Sequence, residues 1–145
     1  MTMGEVLTKV KGFLDAATST HLKDAQTSKF DYPRTQRSDS IAIIRLIPLD
    51  SQDAGVHLGE GWYGQFNVRI EAMMPAHWEH TDHQLDLCDE IHQIVANNNA
   101  FLNDAGEQAT LKSKTWRYGF ESEGEAGERV VQVDVVYEGP QTTSA

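Results

Sequence analysis

Apolar and polar positions alternate with two different periods along this chain, and the changes of period mark the elements. Val6, Leu7, Val10, Phe13, Leu14 and Ala17 recur at the spacing of one helix face, so a first helix is expected over residues 2–19. Thr2 followed by Glu5 is a capping-box pair at its start. The same period returns in Leu85, Leu87, Cys88, Ile91, Ile94 and Val95, with Asp82, Asp86, Asp89, Glu90, Gln93 and Asn97 on the polar side. Thr81 with Gln84 reads as its capping box, and the Asn97-Asn98-Asn99 run as its end.

The remaining apolar runs have the period of strands. Residues 41–47 are a near-continuous β-branched run, the pattern of a strand covered on both sides, with Pro48 expected to end it. Residues 65–73 alternate cleanly: Phe66, Val68, Ile70 and Ala72 on one face, Gln65, Asn67, Arg69 and Glu71 on the other. Residues 111–120 and 128–138 form a second strand pair. Trp116, Tyr118 and Phe120 share one face of the third strand, and Val131, Val133, Val135 and Tyr137 form the core face of the fourth. Residues 49–64 read as a long loop, 100–102 as a segment packed beneath the sheet, and 139–145 as a flexible C-terminal tail.

The predicted order is αββαββ. It implies one α+β domain over residues 1–138, a two-layer sandwich with an antiparallel sheet and both helices on one face. The outer sheet face then carries Gln65, Asn67, Arg69, Glu71, Gln132 and Asp134. Two αββ halves follow one another, without a repeat in sequence between them.

Charge narrows the classes of partner. Twelve basic against 22 acidic residues give a net charge of −10 over 145 residues, which disfavours gripping nucleic acid phosphates or an anionic membrane. The single cysteine, Cys88, lies on an apolar stripe and is expected to be a buried hydrophobe in a reducing compartment. Glu5, Lys9, Lys11 and Asp15 interrupt the first apolar stretch, so a secretory leader is not expected there and a cytosolic product is.

Candidate chemistry is sparse. His77, His80 and His83 cluster with Glu79 and Asp82 at the mouth of the second helix, a weak metal candidate because their i, i+3, i+6 spacing does not force convergence. His92 reads as an edge-of-core residue. Gly59, Gly61 and Gly64 match G-x-G-x-x-G, but they follow a loop and precede a strand, the reverse of the phosphate-binding context. There is no Gly-x-Ser-x-Gly elbow. Trp62 and Tyr63 at the end of the long loop are candidate contact residues, since Trp and Tyr dominate interface hot spots. Arg34 and Arg37, with Lys29, are a local concentration of positive charge. Glu123 and Glu125 lie in an acidic glycine-bearing turn, a candidate electrostatic feature of an assembly. No catalytic residue, cofactor or enzymatic activity is expected.

Taken whole, the chain resembles the tail terminator (tail completion) proteins of long-tailed bacteriophages. The likeness rests on the amphipathic residues Val6 to Ala17, on Phe30-Asp31-Tyr32-Pro33, and on the strand pair 41–47 and 65–73 with a long loop between. It continues through the histidine- and acid-rich entry to Thr81–Asn99, the final strands and the Gly139-Pro140 tail. The resemblance implies a structural virion protein: a ring, typically a hexamer, that caps the tail tube at its head-proximal end in the phage neck. That ring would be made in the host cytoplasm, would touch the tail tube protein and the head–tail connector or stopper, and would let genome DNA pass without specific binding. Related head–tail joining and tube-like proteins share the layout and are the alternative. A small cytosolic metal-binding or enzyme domain using His77, His80 and His83 is the alternative of another class.

Overall fold

A computed structural model describes residues 1–29, 41–57, 61–75, 81–119 and 130–141, of which 51–57, 61–62, 81 and 118–119 are described as backbone alone. Two helices and six strands follow one another as α1 (Met3–Asp15), β1 (Gln26–Lys29), β2 (Ile43–His57), β3 (Gly61–Met73), α2 (Thr81–Asn97), β4 (Ala100–Leu102), β5 (Gln108–Gly119) and β6 (Val130–Pro140). The strands form one sheet in the order β1-β2-β3-β6-β5-β4. The α+β class and the single layer of helices on one sheet face are as the periodicity implies.

The four long strands, β2, β3, β6 and β5, run antiparallel to one another. The sheet as a whole is mixed, because β1 pairs parallel with β2 from Gln26↔Ile43 to Lys29↔Leu46. The short strands β1 and β4 are additions to the expected αββαββ order. Each is only four or three residues long, too short to show a period of its own.

The expected loop over residues 49–64 is a correction. Its backbone continues the sheet as a hairpin, β2 pairing with β3 from Ile43↔Met73 out to His57↔Gly61. Pro48 does not end the strand. It stays in register with Val68, and the ladder shifts between Pro48 and Ser51 and again between Asp53 and Gly55. Such bulges absorb the residues that a regular ladder rejects, and they increase the local twist. At the other end, β6 runs through Gly139 and Pro140, which pair with Gly64 and Tyr63, so the sheet extends two residues into the segment expected to fray.

Helix α1 begins as its sequence dictates. The Glu5 backbone N–H donates to Thr2 Oγ1 at 3.2 Å and the Thr2 N–H to Glu5 Oε1 at 3.0 Å, a complete capping box. Val6, Leu7, Val10 and Leu14 are buried against the half of the sheet formed by β1, β2 and β3. Phe13, at the margin of that stripe, meets Phe101 edge-on at 5.8 Å between ring centres.

Helix α2 covers β5 and β6. Its buried positions are Gln84, Leu87, Cys88, Ile91 and Val95, so Gln84 takes the place on the stripe expected for Leu85, which is only half-buried. Gln84 Nε2 donates to the Val130 carbonyl at 3.1 Å and ties the helix start to β6. One apolar core joins these faces to Ile44, Leu46, Val68, Ile70, Val131, Val133 and Val135. Phe101 of β4 belongs to that core, whereas Leu102, expected beneath the sheet with it, is exposed. Tyr137 is fully buried. Its hydroxyl donates to the Asn98 carbonyl at 3.2 Å, and burial pushes its pKa up to about 12.

Candidate functional site

Three features lie outside the packed core: the far face of the sheet, its uncovered edges, and a histidine pair at the start of α2. The far face carries charge that is matched strand by strand. Arg69 and Asp134 are cross-strand partners in register, and the guanidinium donates to both carboxylate oxygens at 3.0 and 3.2 Å. That bidentate contact with Asp134, working against partial burial, raises the pKa of Arg69 further. Arg45 lies 3.7 Å from Glu71, itself only 3% exposed, and Lys112 lies 3.9 Å from Glu138. Beside these pairs, Ile43, Met73 and Val130 form a small second apolar cluster on the same face. The face is thus a paired polar surface with an apolar corner.

The edges are uneven. β1 accompanies β2 only over residues 43–46, and beyond that β2 has β3 as its one strand neighbour among the described residues. At the opposite side β4 covers β5 only over residues 108–110, and residues 113–119 have β6 as their one strand neighbour among the described residues. The two large apolar side chains most exposed among the described residues, Leu102 (55%) and Trp116 (46%), both lie on that side. The Trp116 ring stacks on His92 at 4.6 Å between centres and 12° between planes, and Lys114 Nζ lies 2.9 Å from His92 Nδ1. His92 is therefore the inner support of an exposed indole at the core margin.

The histidine pair joins two parts of the chain. His83 comes from the first turns of α2, and its partner is His21, from the turn that follows α1. His21 Nε2 lies 3.1 Å from His83 Nδ1. The other ring nitrogen of His21 contacts a carboxylate oxygen of Glu90, whose second oxygen accepts from the His21 backbone N–H at 2.8 Å. Burial opposes ionisation of Glu90, but the nearby Ser19 hydroxyl and the hydrogen bonds from His21 outweigh it and hold the carboxyl below its ordinary range. His77 and His80, the other members of the expected cluster, lie outside the described residues. Among the described residues, no three His, Cys, Asp or Glu side chains are grouped to hold a metal ion.

Of the expected contact residues, Tyr63 is half-buried in β3, and its carbonyl accepts from Gln141 Nε2 at 3.5 Å. Trp62 is placed in β3 as backbone, opposite Val56, and its side chain is outside the described set. Arg34, Arg37, Glu123 and Glu125 lie outside the described residues, as do Phe30 to Pro33. Gly61 and Gly64 sit within β3. A side chain at Gly64 would meet Gln141 Cγ at 2.9 Å, so this glycine makes room for a neighbour rather than for phosphate. Cys88 is buried, and burial pushes its thiol up to about 11. It is protonated at neutral pH and packs as a hydrophobe.

Trp116 and the two open edges are features that the sequence reading did not single out as functional. The alternation of Trp116, Tyr118 and Phe120 marked a strand face, but edge position depends on pairing partners distant in sequence. His21 was missed for the same reason: it stands alone in sequence, far from the residues it meets. No helix among the described residues is long and apolar enough to cross a membrane.

No family model matches the chain, and no curated protein matches it. Among solved structures, it is similar to the sheath/tube terminator of PVC, an extracellular contractile injection system, in the extended state. The TM-score is 0.47 at 14% sequence identity, and the match covers 100% of this chain and 62% of that one.

Proposed function

We propose that this chain is a structural subunit of a phage-type tail, a tail terminator that assembles head to tail into a ring, a hexamer in the form its sequence resemblance implies. The observation that carries the reading is the pair of unlike open edges. Exposed strand edges need a partner, and among the described residues one belongs to a long bulged hairpin arm (β2–β3) and the other to residues 113–119 of β5, on the side that carries Trp116 and Leu102. Two different surfaces that mate make a heterologous contact, and such contacts close into rings when the rotation allows. The buried, protonated Cys88 fits a structural rather than a catalytic role.

In such a ring the subunit would sit at the head-proximal end of the tail, between the tail tube protein and the head–tail connector or stopper. Trp62, Tyr63, Arg34, Arg37, Glu123 and Glu125 are the proposed contact residues beyond the edges. Genome DNA would pass through the bore. The paired far face of the sheet predicts a bore close to neutral if that face lines it. The acidic excess then lies elsewhere, and the exposed Asp82, Asp86 and Asp89 of α2 are part of it.

Electron microscopy of the purified protein tests the reading. Closed rings of one size, which bind the ends of assembled tail tubes and stop their growth, are the expected result. Protein that binds along the sides of tubes, or copolymerises into them, would overturn the terminator assignment in favour of a tube-like or joining protein.

A further inference from the structure

We propose that residues 50–54 in the arm of one copy lie as an added antiparallel strand along residues 113–117 of β5 in a second copy, and that opposite charge on the two edges selects this pairing. The inference rests on the edge-to-edge reading above and names its interface.

Charge separates the two edges. β5 holds Lys112, Lys114 and Arg117 and no acidic residue, in a chain whose net charge is −10. Arg117 is exposed and has no hydrogen-bond or ion-pair partner among the described residues. Lys112 stands 3.9 Å from Glu138 with its side chain 51% exposed, and Lys114 is held by His92 rather than by a carboxylate. The arm is the reverse: residues 49–64 hold Asp50, Asp53 and Glu60 and no Lys or Arg. An arm against a β5 edge therefore brings opposite charges together. Two β5 edges, or two arms, set like charges against each other, which is costly and works against a symmetric dimer.

Direction and register follow from the sheet. β2, β3, β6 and β5 alternate in direction, so β2 and β5 point opposite ways. Copies repeated side by side in one orientation bring β5 against the neighbour's β2 in the antiparallel sense. The short strands limit the register, because β1 occupies β2 up to residue 46 and β4 occupies β5 up to residue 110. Placing Asp50 opposite Arg117 keeps the paired stretch beyond both. It also places Asp53 opposite Lys114, since the two charges in each strand are three residues apart.

The faces agree as well. Arg117 pairs with Gln132 on the far face, and Asp50 lines a far-face cleft with Asn67 and Asp134. Asp53 and Lys114, in register with Gly64 and Val135, hold helix-side positions in their ladders. Ser51, a small residue, then falls opposite the exposed Trp116.

The test is disulfide trapping between two variants. In this register Gln52 faces Thr115, so Gln52→Cys protein mixed with Thr115→Cys protein and oxidised with glutathione disulfide is expected to form a mixed covalent dimer. Either variant alone is expected to form far less. The native Cys88 is buried and stays out of the exchange. Adding Arg117→Asp to the Thr115→Cys protein is expected to slow trapping about tenfold. Adding Asp50→Arg to its Gln52→Cys partner is expected to restore the rate to within about twofold. Each variant is checked for a native circular dichroism spectrum, and Arg117→Gln replaces Arg117→Asp if that variant does not fold. Absence of the mixed disulfide overturns the inference, as do equally fast trapping by Thr115→Cys alone, an Arg117 variant that traps at the parent rate, or a charge swap that fails to restore it. Rings without trapping strike this interface and leave the ring; trapping without rings strikes the ring and leaves this interface.

Discussion

Single residues decide how the helices are fastened to the sheet. Tyr137 donates to the Asn98 carbonyl just past the end of α2, so Tyr137→Phe removes one partly buried hydrogen bond and leaves the ring in place. It is expected to cost about 1 kcal/mol of unfolding free energy in a denaturant titration. Ile70, fully buried in β3, is expected to cost about 2–5 kcal/mol when replaced by Ala, because the rigid core closes the cavity only in part. Glu90 ties the turn after α1 to α2, and its folded-state pKa is depressed. The unfolded chain then binds more protons than the folded one in acid, so this contribution is full above the ordinary carboxylate range near 4.5 and is lost as pH falls through the folded value. Melting temperatures of the unaltered protein and Glu90→Gln should therefore differ most near neutral pH and converge in acid. Gln84 shows the limit of reading residues by type: a polar side chain took a stripe position because a backbone carbonyl of β6 lay within reach, which no local pattern announces.

At the scale of elements, what repeats locally was legible and what depends on a distant partner was not. Both helices, the Thr2–Glu5 cap and the core faces of β3 and β6 follow from period and capping chemistry within a dozen residues. In the sequence the outer hairpin reads as loop, because Asp, Gly and Ser are poor strand formers and Pro48 is a strand breaker. The ladder with β3 and its two bulges override those preferences, and they are set by pairing across the hairpin. β1 is too short for any period, and its parallel pairing with β2 comes from the route of the chain after α1. The β4–β5 connection turns at Gly106, whose φ of 81° lies in the left-handed region. Gly106→Ala is expected to cost roughly 1–2 kcal/mol, read from the melting transition. Replacing residues 51–62 by a short turn should leave the core of the domain folded, since residues 51–57 and 61–62 contribute nothing to the described apolar core, while removing the arm offered to a neighbour.

For the whole molecule, the histidine pair and the sheet edges act at different levels. The pair is internal to one subunit, whereas the edges gain meaning only between subunits. Charge at this scale also divides: ion pairs silence the far face of the sheet, and the exposed polar side of α2 is acidic. The central claim is that the unlike edges mate. Native mass spectrometry of the unaltered protein beside Trp116→Asp measures this directly, because the substitution places a charge at the β5 edge without touching the fully buried core. A single ring species at six times the 16.2 kDa subunit mass, collapsing to monomer in the variant, is the predicted result. A protein that stays at the monomer mass at high concentration, or a variant that assembles as well as the parent, would contradict the account.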